Sequence, residues 1–394
     1  MPWKEQHTVD QRMAFVLAYM QRRVTMAELC REFGVSRKTG YKWTQRFLDG
    51  GAPNLLNRAT VPRQAPHAVA ADVVATIVAL RKRYPTWGPK KLDTYLKREK
   101  PKLERPSRST MANILKRNDL VKERTPRRRT PQSTFPLAMA IDSNAIWCAD
   151  FKGKFRVARR YCHPLTITDA WSRFVLRNEP LEGERTEASR QVFESAFREF
   201  GLPWRMRTDN GAPFASTAIG GLSSLSVWWV KLGILPERIN LGHPEQNGRH
   251  ERMHRTLKAE VASPPAAEWE EQRRMLMQWR QEFNEVRPHE ALEDMQTPAS
   301  IYRPSLRQYP EQLGDPDYPD HFELRRVRHT GAISMCDQHV VLSSVLQREC
   351  VGLEPIDDGL WHLWFGPVFL GRLQELGRKK YQLDKSTPVR WKAT

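Results

Sequence analysis

One segment past the middle of the chain constrains the fold more than any other. Residues 243–258 contain Pro244 and the pair Asn247-Gly248, which favour turns, and then continue with a pattern typical of an α-helix. On that helix Glu251, Arg255 and Lys258 stand at spacings of four and three residues, so their side chains share one face. A carboxylate beside two cations does not suit a hydrophobic core. It suits a surface where a metal ion and a phosphate backbone meet.

Two aspartates upstream have contexts that suit the same chemistry. Asp150 lies in the sequence Trp-Cys-Ala-Asp-Phe, and Asp209 follows a short run typical of a strand. Reactive groups in α/β folds commonly lie at the C-terminal ends of strands. Hard divalent cations such as Mg²⁺ prefer carboxylate oxygens. The sequence therefore predicts that Asp150, Asp209 and Glu251 converge as one metal-binding triad.

The charge of the chain indicates a polyanionic partner. The 394 residues include 64 Lys and Arg against 45 Asp and Glu, a formal net charge of +19. Such an excess favours nucleic acid as the partner, and a basic protein without one is the alternative. The N-terminus lacks the apolar run of a signal peptide, and no apolar run of about 18 residues occurs. We therefore expect no membrane interaction.

The cysteines and histidines do not predict a zinc site. The cysteines form no CxxC pair, so we expect reduced thiols, mostly in the core. His250 and His254 are four residues apart, but no further ligand is well placed, and we expect them to face the surface or DNA. The five cysteines are Cys30, Cys148, Cys162, Cys336 and Cys350.

Residues 1–50 predict three helices arranged as a helix-turn-helix domain. Thr25 is placed to cap the second helix, with Glu28 at the capping-box position, and Ser36 is placed to cap the third. A three-helix structural unit with a solvated basic face is the alternative. The side chains that a helix-turn-helix would direct at DNA are Arg37, Lys38, Tyr41, Lys42 and Arg46.

Residues 51–69 read as a linker, and residues 70–125 predict a second helix-turn-helix domain, with a spacer bundle as the alternative. Ser107 is placed to cap its third helix. Residues 126–139 form a basic linker that contains a proline. The predicted DNA contacts in these two segments are Arg108, Lys116, Arg127, Arg128 and Arg129.

From residue 140 the patterns change to those of an α/β domain. Three antiparallel strands, a helix, a strand and further helices over residues 140–305 follow the order of a ribonuclease-H-like domain. We expect Asp169 to be a structural carboxylate that pairs with Arg173 rather than a member of the triad. A Gly/Ser-rich bulge is predicted at residues 220–228.

The remainder of the chain predicts a different fold class. Residues 306–320 read as a second linker. Residues 321–377 approach a period of two and predict a small C-terminal β-barrel. Residues 378–394 read as a basic tail. The chain as a whole is thus predicted to be multidomain, with α and α/β parts.

Five motifs in the α/β segment resemble, in this order, the integrase core of DDE-type bacterial insertion-sequence transposases of the IS481 and IS3 type, which is similar to retroviral integrases. The resemblance covers most of residues 140–305. The motifs are Trp147-x2-Asp150, residues 168–173 (Thr-Asp-Ala-Trp-Ser-Arg), Thr208-Asp209-Asn210-Gly211 with Phe214, residues 243–258, and Asn284 with Arg287-Pro288-His289 and Ala291-Leu292.

The resemblance implies cutting of double-stranded DNA at transposon ends and strand transfer by a 3′-hydroxyl. It implies two Mg²⁺ ions per active site, with Mn²⁺ as a substitute, and a homo-oligomer of at least two subunits on transposon and target DNA. It also implies a bacterial cytoplasmic, nucleoid-associated location. Asp150 and Asp209 match the first two acids, and Arg255 and Lys258 match positions expected to contact DNA. A sequence-specific DNA-binding protein with an inactive core and a ribonuclease acting on RNA–DNA hybrids are the alternatives.

The third acid departs from the usual pattern of the family. Glu245 stands after an interval of 35 residues from Asp209, which is the family's usual spacing, whereas Glu251 stands after 41. Glu251 nevertheless fits the motif itself, and Glu245 falls where the family commonly has Gln. Loops absorb insertions at little cost in closure entropy, whereas the phase of a helix is fixed. We therefore predict Glu251 as the third ligand, with Glu245 as the alternative.

Overall fold

A computed structural model describes most of the chain and divides it into two units, Met1–Ala68 and Val69–Thr394. Each unit is described by itself. The predicted contacts Arg127, Arg128 and Arg129 lie outside the described residues, as does the side chain of Glu245. The described ranges are 8–57, 68–121, 137–240, 243–377 and 380–385.

The first unit is a three-helix domain. Thr25 and Glu28 form the predicted capping box, and Ser36 accepts a hydrogen bond from the N–H of Thr39, so both predicted caps are confirmed. Gly40 permits close helix packing, because a Cβ atom there would lie 2.8 Å from Cys30 Sγ. The helices are α1 (Thr8–Met20), α2 (Met26–Glu32) and α3 (Arg37–Gly50), followed by a 3-10 turn at Ala52–Leu55.

The second unit begins with another three-helix module. Tyr84 stacks on Trp87 with ring centroids 3.9 Å apart, and the buried Ile77 and Leu92 belong to the same core. Ser107 accepts a hydrogen bond from the N–H of Thr110, which confirms its predicted cap. The helices are α4 (Ala71–Arg83), α5 (Pro89–Glu99) and α6 (Arg108–Arg117).

This second module packs against the α/β domain through a nearly buried ion pair. The Arg287 and Glu260 side chains are 7% and 12% exposed and form a salt bridge. Glu260 also accepts hydrogen bonds from the Thr86 hydroxyl of the module and from Trp279 Nε1, the latter at 2.7 Å. The Arg287 guanidinium lies 5.7 Å from the centroid of the Trp87 ring. Module and α/β domain therefore meet at an exposed hydrogen bond from Thr86 and at the contact of Arg287 with the buried Trp87.

The α/β domain is built on a six-stranded sheet. Its order is β2-β3-β1-β5-β6, and β4 also pairs with β3. The β1–β5 and β5–β6 pairs are parallel, and the other pairs are antiparallel. The strands are β1 (Ile146–Phe151), β2 (Phe155–Val157), β3 (Arg160–Asp169), β4 (Val175–Leu181), β5 (Arg205–Thr208) and β6 (Leu235–Arg238).

Five helices accompany this sheet. On one face, Phe193 and Phe197 of the first helix pack with Trp147 and Trp229 in the main hydrophobic core. A π-helical turn at Glu282–Val286 extends the fourth. The helices are α7 (Thr186–Phe200), α8 (Ser224–Lys231), α9 (Gly248–Val261), α10 (Trp269–Gln281) and α11 (Pro298–Ile301).

The predicted bulge at 220–228 is wrong in its second half. Ser223 caps α8 with a capping box, and Leu225, Trp228 and Trp229 of this helix are buried. A short helix that is buried on most sides lacks the amphipathic period by which helices are predicted. Only the segment before α8, which includes a turn at Ile219–Gly221, is irregular.

The C-terminal strands form an open antiparallel sheet and a separate hairpin, so the predicted β-barrel is wrong. Among the described strands, the sheet has the order β13-β12-β11-β10-β7, and β8 and β9 form a separate pair. The strands are β7 (Glu323–Arg326), β8 (Ala332–Met335), β9 (Gln338–Val341), β10 (Cys350–Asp357), β11 (Leu360–Phe365), β12 (Val368–Glu375) and β13 (Tyr381–Asp384).

The contact between β9 and β13 is made by a side chain. The Gln338 amide of β9 accepts from Tyr381 N at 2.7 Å and donates to Tyr381 O at 3.2 Å. β13 also lies within the segment predicted as a tail, which is a further correction. Leu222 and Val230 of the α/β domain share a hydrophobic cluster with Phe365 and Leu363, so the C-terminal sheet packs on that domain.

Candidate active site

The sheet brings the first two predicted acids side by side. β1 and β5 are adjacent and parallel, and Cys148 pairs with Arg207. Two residues further along each strand, this register places Asp150 next to Asp209. Both aspartates therefore lie at the same C-terminal edge of the sheet. The Asp150 side chain is 18% exposed and that of Asp209 is partly buried.

The carboxyl groups at this edge are electrostatically coupled. Burial and, to a smaller extent, the charges of Asp209 and Glu251 together raise the pKa of Asp150 to about 7, against the opposing effect of hydrogen bonds from Phe151 N–H and Asn247. Burial also raises the pKa of Asp209, while a hydrogen bond from the N–H of Gly211 opposes the shift. These shifts mean that negative charge accumulates here at a cost that a bound cation would offset.

The third predicted acid lies in the first turn of α9. Glu251 is exposed, and its effect on the pKa of Asp150 places it within electrostatic reach of that carboxylate. Arg255 and Lys258 are exposed on the same helix, as the helical spacing predicts. Lys152, which the sequence analysis missed, lies near Lys258: burial lowers its pKa, and the charge of Lys258 lowers it further.

Asn247 is a second site residue that the sequence analysis missed. It was interpreted only as a turn former, yet its Nδ2 donates a hydrogen bond of 3.1 Å to Asp150 Oδ2. One feature of the sequence could have identified Asn247 as a site residue: it stands one turn before Glu251, within the motif at residues 243–258 that resembles the integrase core.

His250 and His254 are buried rather than facing the surface or DNA, so that prediction is wrong. They are 3% and 7% exposed. Their Nε2 atoms lie 2.6 and 2.7 Å from the Thr166 hydroxyl of β3. A helix that packs on the sheet at this point turns its histidines inward, because a hydroxyl on β3 offers them a polar partner.

Asp169 is structural, although not through the predicted partner. Its carboxylate accepts hydrogen bonds from Asn144 N at 2.8 Å, from Ser172 N at 2.8 Å and from the Ser172 hydroxyl at 2.6 Å. Arg173 instead donates from its guanidinium to Ala170 O. Asp169 therefore fixes the turn between β3 and β4 and faces away from the acidic edge.

The predicted DNA contacts of the first unit lie on α3. Arg37, Lys38, Tyr41 and Lys42 are exposed, whereas Arg46 is partly buried and lies 4.8 Å from the centroid of the Trp43 ring. One face of α3 is thus available for a groove or a phosphate backbone.

In the second module, Lys116 is exposed on α6. Arg108 is also exposed, but its Nε donates to Asp93 Oδ2 at 2.9 Å, so a DNA contact there would compete with an ion pair.

The donor set fits a hard divalent cation. Carboxylates from the ends of two strands lie at one edge, and Glu251 at the start of α9 is within electrostatic reach of Asp150. In the described part of the chain no Lys or Arg pairs with Asp150, Asp209 or Glu251. Oxygen ligands of this kind are those that Mg²⁺ and Mn²⁺ prefer. The cysteines take no part, since all five are unpaired thiols, of which Cys30, Cys162 and Cys350 are buried.

Three family models match parts of the chain. Residues 232–298 match an integrase core domain. Residues 11–63 match a helix-turn-helix domain, and residues 39–115 match a homeodomain-like domain. The chain therefore carries N-terminal helix-turn-helix domains and an integrase core, and the predicted ribonuclease-H-like core is confirmed at this level.

A curated relative supports the same assignment. The insertion element IS407 uncharacterized 31.7 kDa protein of Burkholderia multivorans is 28% identical over 160 residues. The match covers 40% of this chain and 54% of that protein, so the chain spans about half the length of the relative. Together with the matched domains, this confirms the resemblance to insertion-sequence transposases with an integrase-like core.

Solved structures give a weaker likeness. The HTLV-2 integrase catalytic core domain in complex with magnesium aligns with a TM-score of 0.34 at 16% identity, covering 42% of this chain and all of that one. A simian T-cell lymphotropic virus intasome in complex with PP2A regulatory subunit B56 gamma aligns with a TM-score of 0.37 at 14% identity. This alignment covers 81% of this chain and 99% of that one. At these TM-scores neither likeness establishes a shared fold. Among the described residues, no helix is long and apolar enough to cross a membrane.

Proposed function

We propose that this chain is a DDE-type transposase that binds the ends of its element, cleaves phosphodiester bonds with a divalent metal, and joins the resulting 3′-hydroxyl to target DNA. The observation that carries the proposal is the position of Asp150 beside Asp209 at one edge of the sheet, within electrostatic reach of Glu251. The matched integrase core and helix-turn-helix domains support it.

Asp150, Asp209 and Glu251 are the residues that would hold two Mg²⁺ ions, or Mn²⁺ in their place. Such ions, when bound, supply a nucleophile at neutral pH and stabilise the charge on the leaving oxygen. The chain itself positions the carboxylates: Asn247 holds Asp150 through its amide, and the Gly211 N–H holds Asp209.

The surrounding cations are suited to holding the DNA. Lys152, Arg255 and Lys258 lie beside the acids and would bind phosphates of the end being cut. α3 and α6 of the two N-terminal modules would read the element's ends from the major groove. Joining two ends to one target needs more than one active site, so at least a dimer would assemble on double-stranded DNA.

The predicted domain limits belong to the same proposal. Residues 1–50 and 70–125 would bind the ends, residues 140–305 would carry the catalysis, and residues 321–377 would bind DNA or a neighbouring subunit.

Nicking of a supercoiled plasmid that carries the element's flanking sequence tests the proposal. We expect nicked product with Mg²⁺ or Mn²⁺, none with EDTA, and none with Asp150→Asn, which keeps the shape of the side chain and removes its charge. Binding of the same DNA by both proteins would show that the variant is folded. Specific binding without nicking by the wild-type protein would instead establish a DNA-binding protein with an inactive core, and preference for an RNA–DNA hybrid would establish a ribonuclease.

A further inference from the structure

Two buried imidazoles lie directly beside the first catalytic acid. His250 and His254 project from α9, and their rings meet edge to face with centroids 4.6 Å apart. Potential ligand atoms of Asp150, His250 and His254 all lie within 4.8 Å of one another. By spacing alone these three residues could form a metal site of their own.

The space between the two imidazoles is already filled by a hydroxyl. Thr166 Oγ1 lies 2.6 Å from His250 Nε2 and 2.7 Å from His254 Nε2. A cation bound by both nitrogens would have to displace this fully buried threonine from β3. The three residues therefore do not jointly hold an ion in this arrangement.

Counting protons assigns a role to each nitrogen. Thr166 Oγ1 has a third partner, the carbonyl oxygen of Asp150 at 3.0 Å, which can only accept. A hydroxyl donates one hydrogen bond and accepts two. All three contacts are satisfied only if Thr166 donates to that carbonyl and both histidines donate from Nε2. In the neutral form of His250 and His254, the single ring proton is then on Nε2.

In this arrangement the two remaining nitrogens differ. His250 Nδ1 lies 3.2 Å from the Thr168 hydroxyl, whose one proton can go either to this nitrogen or to the carbonyl oxygen of Cys148 at 3.5 Å. His254 Nδ1 carries a lone pair and faces Asp150 Oδ2 at 3.8 Å. Two acceptors that face each other repel, and a cation between them removes the repulsion. The geometry thus leaves one imidazole nitrogen free for an ion at Asp150.

We propose that His254 Nδ1 is a fourth protein ligand of the divalent cation held by Asp150. This inference rests on the proposed function, since it concerns the same metal site. Two ligands at about 2.1 Å from one ion lie between about 3 Å apart, in adjacent positions, and about 4.2 Å apart, in opposite positions, and the observed separation falls in that range.

The partner of the other ring nitrogen supports this role. Histidines that bind metals usually donate their second ring N–H to a fixed acceptor, which sets the tautomer and the ring orientation. Thr166 Oγ1 is such an acceptor for His254 Nε2. An imidazole ligand would favour Mn²⁺ over Mg²⁺, because Mg²⁺ is the harder cation, prefers oxygen ligands and gives up its waters reluctantly.

Electron spin echo envelope modulation of the full-length chain with bound Mn²⁺ tests the proposal without catalysis. We expect ¹⁴N modulation from a directly bound nitrogen in the wild-type protein. Growth on ¹⁵N-histidine should replace it with the ¹⁵N pattern, which identifies the donor as histidine in a protein that carries no substitution. Absence of nitrogen modulation from saturably bound Mn²⁺ would overturn the proposal.

Two matched variants identify which histidine is bound. His254→Gln should abolish the ¹⁴N modulation and weaken Mn²⁺ binding by about 10- to 100-fold, the usual effect of disturbing a metal's immediate surroundings. His250→Gln alters the same buried network on the same helix and should keep the modulation. Loss in the His250 variant with retention in the His254 variant would also overturn the proposal.

The measurement separates this inference from the function on which it rests. If Mn²⁺ binds, is lost in Asp150→Asn and shows no nitrogen coupling, only the role of His254 fails. If Mn²⁺ does not bind and the wild-type protein nicks no DNA with any divalent metal, the proposed transposase fails, and the ligand role fails with it.

Discussion

The two faces of α9 differ in burial and in charge, although both belong to the same fourteen residues. The outer face exposes Glu251, Arg255 and Lys258, which we propose bind metal and phosphate. The inner face buries Leu257 in an apolar cluster and His254 against β3. The comparison shows how α9 holds the Glu251 carboxylate in place: packing and a buried hydroxyl fix the opposite face of the helix.

The largest effect should come from the acid on the outer face. Glu251→Gln should lower plasmid nicking by roughly 10³-fold, because metal stabilisation worth several kcal/mol depends on the ligand charge. Glu245→Gln, six residues earlier, should change the rate little. Loss of nicking only in the Glu245 variant would move the third ligand to that residue.

An apolar truncation on the inner face should reduce stability rather than chemistry alone. Leu257 is 0% exposed, so Leu257→Ala should lower the free energy of unfolding by about 2–5 kcal/mol, as measured by urea denaturation. Arg255→Ala on the outer face should change it by less than about 0.5 kcal/mol. Equal losses in the two variants would contradict the division of the helix into two faces.

The acidic edge should make the metal-free protein less stable as pH rises. The pKa of Asp150 is raised from its usual 3.8 to about 7 in the folded protein. Below about pH 4 this group has no effect, and stability is then lost as pH rises towards 7, because the unfolded chain releases the proton first.

With EDTA present, Asp150→Asn should therefore be more stable than the wild-type protein at pH 8, by on the order of 4 kcal/mol, and equal to it near pH 3. Urea melts at the two pH values measure this. A variant that is less stable at pH 8 would mean that the carboxylate is stabilised by the fold.

The smallest effect is expected from Lys258, a cation on the outer face of α9. Lys258→Ala should reduce the slope of log affinity against log salt concentration by about 0.9, the contribution of one phosphate contact. Arg273→Ala on α10 serves as the control and should leave the slope unchanged. Fluorescence anisotropy with end DNA at several salt concentrations distinguishes the two, and an unchanged slope for Lys258→Ala would remove it from the DNA interface.

The sequence was sufficient for the outer face of α9 and for one strand end. Helical spacing alone places Glu251, Arg255 and Lys258 together, and the context of Asp209 predicts its place at the end of a strand, which β5 provides. These features depend on local periodicity, which a single sequence records. The segment of β1 and β2 was predicted as a single strand, and β6 was not predicted.

The inner face could not be predicted in the same way. His250 is buried because Thr166, 84 residues earlier, lies beneath it, and local pattern carries no record of such a contact. The open C-terminal sheet could not be predicted either, since the contact of β9 with β13 is made by the Gln338 side chain, 43 residues from Tyr381. The helix α8 was missed because a segment buried on most sides shows no periodicity.

The ion pair between Arg287 and Glu260, with Thr86 against it, has a consequence for how far the protein reaches along a duplex. Because this contact joins the second module to the α/β domain, folded structure sets the span from α6 to Asp150. Under the proposed function, this span would set the number of base pairs between the DNA sequence that the module reads and the bond that is cut.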